Sequence, residues 1–192
     1  GGSAVDVIEA SSGKPRQRIT APDSLQIVEC VLIEDRIVSS AVSDNGTALY
    51  MYDLSNEELG WQEISYVQPK TLNDLRIVPQ NAKKEDCPAV MFTSDRNGVD
   101  ELYHFYIGSN NLYKISNTRY GGTSWQYSPD GKWLYYSAHT LDGNLVYRTP
   151  TDSLTAMVVS GPVHSDVIAD ALSEQETLYS GNYTAISEEE VQ

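Results

Sequence analysis

Hydrophobic and polar residues alternate over short stretches of this chain, with turn residues between the stretches. In residues 124–138, two aromatic-rich segments flank Ser128-Pro129-Asp130-Gly131. Proline presets φ and glycine tolerates positive φ, so this tetrapeptide predicts a chain reversal. A second turn at Asp142-Gly143 leads into another alternating stretch, residues 144–149. The pattern predicts three antiparallel strands joined in a meander.

A short segment that ends in Ile or Val followed by Ser or Thr recurs along the chain. The hydroxyl residues of this marker are Thr20, Ser65, Ser116 and Ser160, at spacings of 45, 51 and 44 residues. Regular spacing of this length indicates a structural repeat. We interpret each marker as the last strand of a repeat unit.

A second marker has the same period. The dipeptides Asn45-Gly46, Asn97-Gly98 and Asp142-Gly143 have the composition of two-residue hairpins in which both central residues take positive φ. Each dipeptide precedes a strand of similar pattern: Ala48–Asp53, Glu101–Tyr106 and Asn144–Arg148. Agreement between two independent markers predicts units of four strands.

The predicted fold class is therefore all-β: a β-propeller of four-stranded antiparallel blades, with strands for about four blades. Complete units are expected at residues 21–65, 66–116 and 117–160. Half units at residues 4–20 and 167–183 would supply the last two and first two strands of one blade. Their pairing would close the ring and remove two open sheet edges. No stretch of ten residues shows a helical period.

The segment Tyr127-Ser128-Pro129-Asp130-Gly131-Lys132-Trp133-Leu134-Tyr135-Tyr136-Ser137 resembles the repeat signature of TolB-like propellers, the WD40-like (PD40) type. The segment Ile8-Glu9-Ala10-Ser11-Ser12-Gly13-Lys14-Pro15-Arg16-Gln17-Arg18-Ile19-Thr20 looks like that family's outer-strand pattern. Elsewhere the similarity rests on turns and spacing, because Glu34-Asp35 and Glu85-Asp86 replace the Ser-Pro-Asp-Gly turn. The resemblance covers nearly the whole chain and implies a single propeller domain, or a segment of one, over residues 1–192.

Such propellers occur in periplasmic TolB, in sensor domains of membrane-bound regulators, in prolyl-oligopeptidase-like peptidases and in oligogalacturonate lyases. Family members usually have six or more blades. The resemblance therefore leaves three arrangements open: a small closed ring, a ring completed by a second copy, and a fragment of a longer chain. It implies a bacterial protein that is periplasmic or extracellular.

The charge and the cysteine content exclude several classes of partner. The formal net charge is −14, whereas a nucleic-acid-binding surface needs a basic stripe. No apolar run reaches the about 20 residues of a membrane helix, so direct membrane insertion is not expected. Cys30 and Cys87 are too few for a disulfide scaffold or a zinc site. They fall in neighbouring units but at different positions along the strand direction. A disulfide needs Cα atoms within about 7 Å of each other, so we predict that both cysteines are free thiols.

The sequence offers one candidate ligand site. The first strand of each unit starts at the central channel of a propeller, and ring closure would gather Asp23, Asp74 and Asp166 around one mouth, with His164 nearby. Oxygen ligands of this kind suit a hard cation such as Ca²⁺, or a polar ligand. The alternative is that these short polar side chains only cap turns.

No catalytic arrangement is evident, and no cofactor is required. The three histidines fall in different strand positions, and a Gly-x-Ser-x-Gly elbow is absent. The aromatic residues Trp125, Trp133, Tyr135 and Tyr136 are expected to form core rather than a sugar-binding platform. We therefore predict a non-catalytic module that presents a loop face to a protein partner or small ligand. The alternatives are the propeller domain of a peptidase or polysaccharide lyase, and the sensory domain of a membrane-anchored regulator.

Overall fold

A computed structural model describes residues 2–65 and 71–159, and this part of the chain is built from β-strands. Helical structure in it is limited to three short 3₁₀ turns, Glu57–Leu59, Gln80–Ala82 and Thr151–Ser153. The strands are β1 (Ala4–Ile8), β2 (Pro15–Thr20), β3 (Gln26–Ile33), β4 (Arg36–Ser43), β5 (Gly46–Asp53), β6 (Gln62–Glu63), β7 (Asn73–Ile77), β8 (Ala89–Ser94), β9 (Glu101–Tyr106), β10 (Leu112–Lys114), β11 (Thr123–Tyr127), β12 (Trp133–Thr140), β13 (Gly143–Pro150) and β14 (Met157–Val159).

These strands form four antiparallel sheets, which follow one another along the sequence except for β14. A two-stranded sheet, β1–β2, comes first, followed by a four-stranded sheet in the order β3–β4–β5–β6. A five-stranded sheet has the order β7–β8–β9–β10–β14, and a three-stranded sheet has the order β11–β12–β13. The all-β class is confirmed. The described residues form no closed sheet, and no helix among them is long and apolar enough to cross a membrane.

The recurring Ile-Ser pair has a structural explanation in two sheets, where it directly follows β6 and β10. In the four-stranded sheet, the Ile64 N–H donates to the Leu49 carbonyl (2.9 Å), and the Ser65 hydroxyl accepts the Leu49 N–H (3.1 Å). In the five-stranded sheet, Ile115 and Ser116 hold both backbone groups of Leu102 in the same way, each at 2.8 Å. We call this arrangement the hydroxyl clasp. It satisfies the N–H and carbonyl of the residue just past the last ladder pair with the neighbouring strand.

The prediction of four strands in the unit 117–160 is wrong for the described residues. The expected fourth strand, β14, pairs with β10 of the preceding unit instead of with β13. At that position Val159 lies opposite Leu112 and packs against the core that contains Leu112 and Phe105. Apolar burial explains the placement, because β13 offers a largely exposed edge where Val159 would bury less surface.

The glycine turns also differ from the predicted type. Gly46, Gly98 and Gly143 have φ of 105°, 91° and 104°, but the residues before them do not have positive φ. Positive φ at the glycine alone fits a turn followed by a glycine bulge better than a type I′ hairpin. The loop that contains Gly98 is longer than two residues, since Ser94 pairs with Glu101.

Two apolar cores hold the three larger sheets face to face. The first core, with Val38 and Leu49 on one side and Phe92 and Tyr103 on the other, joins the four- and five-stranded sheets. The second core joins the five- and three-stranded sheets and includes Trp125. The Trp125 ring is buried and stacks on Tyr136, which stacks on Tyr147.

Trp125 is therefore a core residue, as the sequence predicts, and Tyr136 packs against the same core. Trp133 and Tyr135 are half-buried, and Arg148 stacks over the Trp133 ring at 4.5 Å.

The half unit at residues 4–20 forms the strand pair β1–β2, with Ala4 opposite Thr20. The other half unit, residues 167–183, lies outside the described residues, and so does its predicted pairing with the N-terminal strands.

Candidate binding surface

The first strands of two successive sheets, β7 and β11, begin with the same backbone irregularity. In β7, residues 74 and 75 stand opposite a single residue of β8, and in β11 residues 124 and 125 stand opposite a single residue of β12. Asp74 and Ser124 have φ of 57° and 55°, in the left-handed region that costs a non-glycine residue about 1–2 kcal/mol. These are β-bulges, which are common beside functional sites because they redirect side chains.

The predicted site residues fall at these strand starts, but only two of them lie in the described part. Asp74 is half-buried within the bulge of β7, and Asp23 is exposed in the segment before β3. His164 and Asp166 lie outside the described residues. Residues 2–65 and 71–159 contain no group of three or more His, Cys, Asp or Glu side chains that could hold a metal ion. The cation site therefore remains a prediction.

Polar side chains connect the first strands of three sheets just after the register shift in each strand. The first paired residues after the register shifts of β3, β7 and β11 are Glu29, Arg76 and Gln126. The Glu29 carboxylate accepts the N–H of Leu75 at 2.8 Å. The Arg76 guanidinium donates to the Gln126 side-chain oxygen. Leu75 lies in the bulge, where the ladder is interrupted, and the neighbouring sheet's carboxylate satisfies its N–H. These contacts hold the starts of three consecutive sheets together.

A polar cleft of about 190 Å³ opens at the loop end of the five- and three-stranded sheets. The loop between β8 and β9 meets the segment before β11 there, and the Gly122 N–H donates to the Asp100 carbonyl at 2.7 Å. On the far wall, His139 Nδ1 lies 3.1 Å from Asn144 Oδ1. The cleft is lined by Asp100, Tyr120, Gly121, Gly122, Thr123, Ser137, His139 and Asn144.

Asp100 has the most unusual electrostatic environment in this cleft. Partial burial raises the pKa of its carboxyl group, and the nearby negative charge of Asp95 raises it further. Asp95 is itself held by the Thr71 hydroxyl, which donates to its carboxylate at 2.8 Å. A carboxylate that is costly to ionise gains most from a positive or hydrogen-bond-donating ligand. The cleft is therefore suited to a cationic or donor-rich group.

Arg96 lies in the same loop but is closed off from solvent. It is 2% exposed, and its guanidinium has no hydrogen-bond partner in the described part of the chain. Its Cζ atom lies 5.8 Å from the centre of the Tyr103 ring, and burial lowers the pKa of the group. Because Arg96 is enclosed, its side chain adds positive charge near the loops but cannot contact a ligand directly.

The two described histidines do not share a site, as the sequence predicts. His104 is completely buried, with its Nε2 atom 3.2 Å from the Tyr127 hydroxyl oxygen. Burial lowers its pKa to about 3, with a smaller contribution from Lys84. His139 is exposed in the loop-end cleft. Cys30 and Cys87 are both free thiols, which confirms that prediction.

Sequence reasoning missed the loop-end cleft. Asp100 and Thr123 are far apart in sequence, and their proximity depends on how two loops pack. The only available signal was the position of His139 beside a turn.

The fold is similar to solved TolB structures. TolB from Acinetobacter baumannii matches with a TM-score of 0.59 and 18% sequence identity, over 82% of this chain and 37% of that chain. The putative TolB from Agrobacterium tumefaciens gives a TM-score of 0.49 and 15% identity, over 79% of this chain and 52% of that chain. No protein-family model and no curated protein matches the sequence.

The Acinetobacter match and the sheet topology define the class of fold: all-β, with antiparallel sheets and a TolB-like structural neighbour. The expected resemblance to TolB-like proteins is thus confirmed at the level of fold. The chain spans 37% of the length of the Acinetobacter protein, so the similarity concerns a part of that protein.

Proposed function

We propose that this chain is a propeller-type binding module of the TolB-like, PD40-repeat class. Its three larger sheets would be consecutive blades, and its innermost strands would line a central channel. The polar contacts between the starts of β3, β7 and β11 support this arrangement, because only neighbouring inner strands can make them in succession. The two inter-sheet cores give the same order of sheets. The remaining blades would come from a second copy or a longer parent chain.

The proposed activity is binding without turnover, on the face where the inner strands begin. The observation that carries this proposal is the loop-end cleft, where Asp100 is held partly buried on a rigid sheet scaffold. Loops positioned by a stable scaffold are the usual place for recognition. The occupant would be a protein partner or small ligand that places a basic or donor-rich group against Asp100. The TolB-like fold supports a periplasmic or extracellular bacterial location.

Site-specific photo-crosslinking tests the proposal. A benzoylphenylalanine at Tyr120, which is 68% exposed beside the cleft, should capture a partner from periplasmic extract. The matched control places the same group at Lys132, which is exposed in the turn between β11 and β12, at the other end of that strand pair.

The captured protein is then purified and its affinity measured by titration calorimetry. Asp100→Lys should weaken binding at least about tenfold, since it places a like charge against the ligand's basic group. Equal capture from both positions, or an affinity that Asp100→Lys leaves unchanged, would contradict a binding site on the loop face.

A further inference from the structure

The outer edge of β13 pairs with no strand in the described part of the chain. β13 is bonded to β12 along its other edge only. Val146 is 77% exposed at this edge, and Leu145 is 44% exposed. An open edge with apolar side chains is a template for pairing with another strand.

The corresponding edge of the four-stranded sheet shows what such a strand would contact. The β4–β5 and β12–β13 hairpins end in equivalent pairs, Ser43 with Gly46 and Thr140 with Gly143. In both turns the hydroxyl of the first residue donates to the carbonyl of the glycine. The two glycines have nearly equal φ, 105° and 104°. The two hairpins therefore share one backbone geometry.

This equivalence fixes the direction of the backbone groups at Val146. Val146 follows Gly143 by the same number of residues as Leu49 follows Gly46. Leu49 directs its N–H and carbonyl away from β4, into the hydroxyl clasp of Ile64 and Ser65. In an antiparallel strand, the backbone N–H and carbonyl of successive residues point alternately to one side and the other. At the position equivalent to Leu49, the N–H and carbonyl of Val146 therefore point away from β12. No described residue clasps it.

We propose that the β13 edge binds an extended peptide of a partner protein in which Ile or Val is followed by Ser or Thr. The N–H of the apolar residue would donate to the Val146 carbonyl, and the hydroxyl would accept the Val146 N–H. The two preceding peptide residues would pair with Tyr147 and Arg148, as Glu63 and Gln62 pair with Tyr50 and Met51. Strand addition of this kind is a common mode of peptide recognition.

The residue before the apolar position can also be specified. In the four-stranded sheet, the Tyr50 hydroxyl donates to the Glu63 carboxylate at 3.4 Å. Tyr147 is the counterpart of Tyr50, since each residue directly follows the clasped position. A Glu or Gln at this point of the peptide would accept a hydrogen bond from the Tyr147 hydroxyl. The favoured peptide sequence is therefore Glu or Gln, then Ile or Val, then Ser or Thr.

Two observations favour an outside peptide over a strand of the same protein. Within residues 2–65 and 71–159, the chain's own candidate, β14, pairs with β10, where Val159 packs against the first core. A second copy carries the same formal charge of −14, so charge repulsion disfavours a pairing of two copies that is held by this edge alone. This edge is separate from the loop face, and the two proposals are tested with different variants.

A peptide with the sequence of residues 60–65, Gly-Trp-Gln-Glu-Ile-Ser, is a suitable probe because it contains the clasp motif. With a fluorescent label at its N-terminus, its binding is measured by anisotropy. A peptide with Ala in place of Ser, and one with N-methylated Ile, each lose one clasp hydrogen bond. Each should bind about fivefold to tenfold more weakly, since one such bond contributes about 1 kcal/mol.

The matched protein variants are Val146→Pro and Val146→Thr. Proline removes the outward N–H and is compatible with an edge strand, so Val146→Pro should reduce peptide binding by a similar factor. Val146→Thr keeps the backbone donor and should bind like the parent protein. Circular dichroism and melting temperature establish that both variants are folded.

Three results of the peptide titrations would overturn the proposal. They are no peptide binding to the parent protein at millimolar concentration, equal binding to Val146→Pro, and equal binding of the peptide with Ala in place of Ser. A peptide that displaced the protein's own β6 would also bind Val146→Pro equally. A stable dimer that Val146→Pro dissociates would assign the edge to a second copy and reject the outside peptide.

Discussion

The buried imidazole of His104 should make folding sensitive to pH between neutrality and pH 5. The ordinary pKa of histidine is 6.5, and burial lowers that of His104 to about 3. The unfolded chain therefore takes up a proton near pH 6.5 that the folded protein does not accept until about pH 3. A group with a depressed folded-state pKa contributes stability that is present above pH 6.5 and is lost as the pH falls.

The magnitude follows from the pKa values. Between pH 7 and pH 5, proton uptake by the unfolded state should lower the free energy of unfolding by about 2 kcal/mol, at 1.36 kcal/mol per pH unit below 6.5. Most carboxylates stay ionised down to pH 5, so their contribution in this range is small. This loss is a large fraction of the free energy of unfolding of a typical domain, which is about 5–15 kcal/mol.

Urea unfolding followed by tryptophan fluorescence measures this effect at pH 7, 6 and 5. His104→Gln should lower stability at pH 7, because it disturbs a buried contact, yet it should remove about 2 kcal/mol of the pH dependence. Tyr127→Phe is the matched control. It deletes the hydroxyl beside the imidazole but leaves His104 buried, so the pH dependence should persist. If His104→Gln kept the full pH dependence of the parent, burial of His104 would not be its cause.

Three further predictions concern the clasp, a close packing contact and the cation site. Ser116→Ala should lower the free energy of unfolding by about 1–3 kcal/mol in urea titrations, because it removes the clasp and also one of the donors to the buried Glu101 carboxylate. Ser65→Ala removes only a clasp bond and should cost less, and equal costs would contradict this. Gly122→Ala should lower the melting temperature, because a Cβ there would lie 2.4 Å from the Trp125 ring; an unchanged melting temperature would show that the ring can move. Calcium titration calorimetry should detect binding that Asp74→Asn weakens, and no heat with the parent protein would reject the cation site.

The sequence predicts strands and turns well because both depend on local chemistry. Alternating side chains specify β-strands, and the Pro129 to Gly131 turn has the φ preferences that it needs. Placement of β14 depends instead on burial of Val159 against residues that lie far away in sequence. The pattern correctly identified a strand there but could not show which edge it joins.

Prediction of the candidate site was limited for the same physical reason. The start of β7 was identified as a polar position, and Asp74 does occupy a bulge there. The cleft around Asp100 arises where two loops meet, and no local pattern encodes that contact. Arg96 gave no signal, because a charged loop residue is normally expected in solvent and this one is buried.

The hydroxyl clasp has a consequence for how the sheets open. An outer strand such as β6 is only two residues long, and it is retained by two ladder pairs and one clasp. Its release breaks few bonds and exposes little apolar surface, whereas release of β8 would expose six buried residues. Amide hydrogen exchange should therefore be fastest in the outer strands and slowest at β8 and β9. The rim of each sheet would be replaceable, while its centre remains fixed until the domain unfolds.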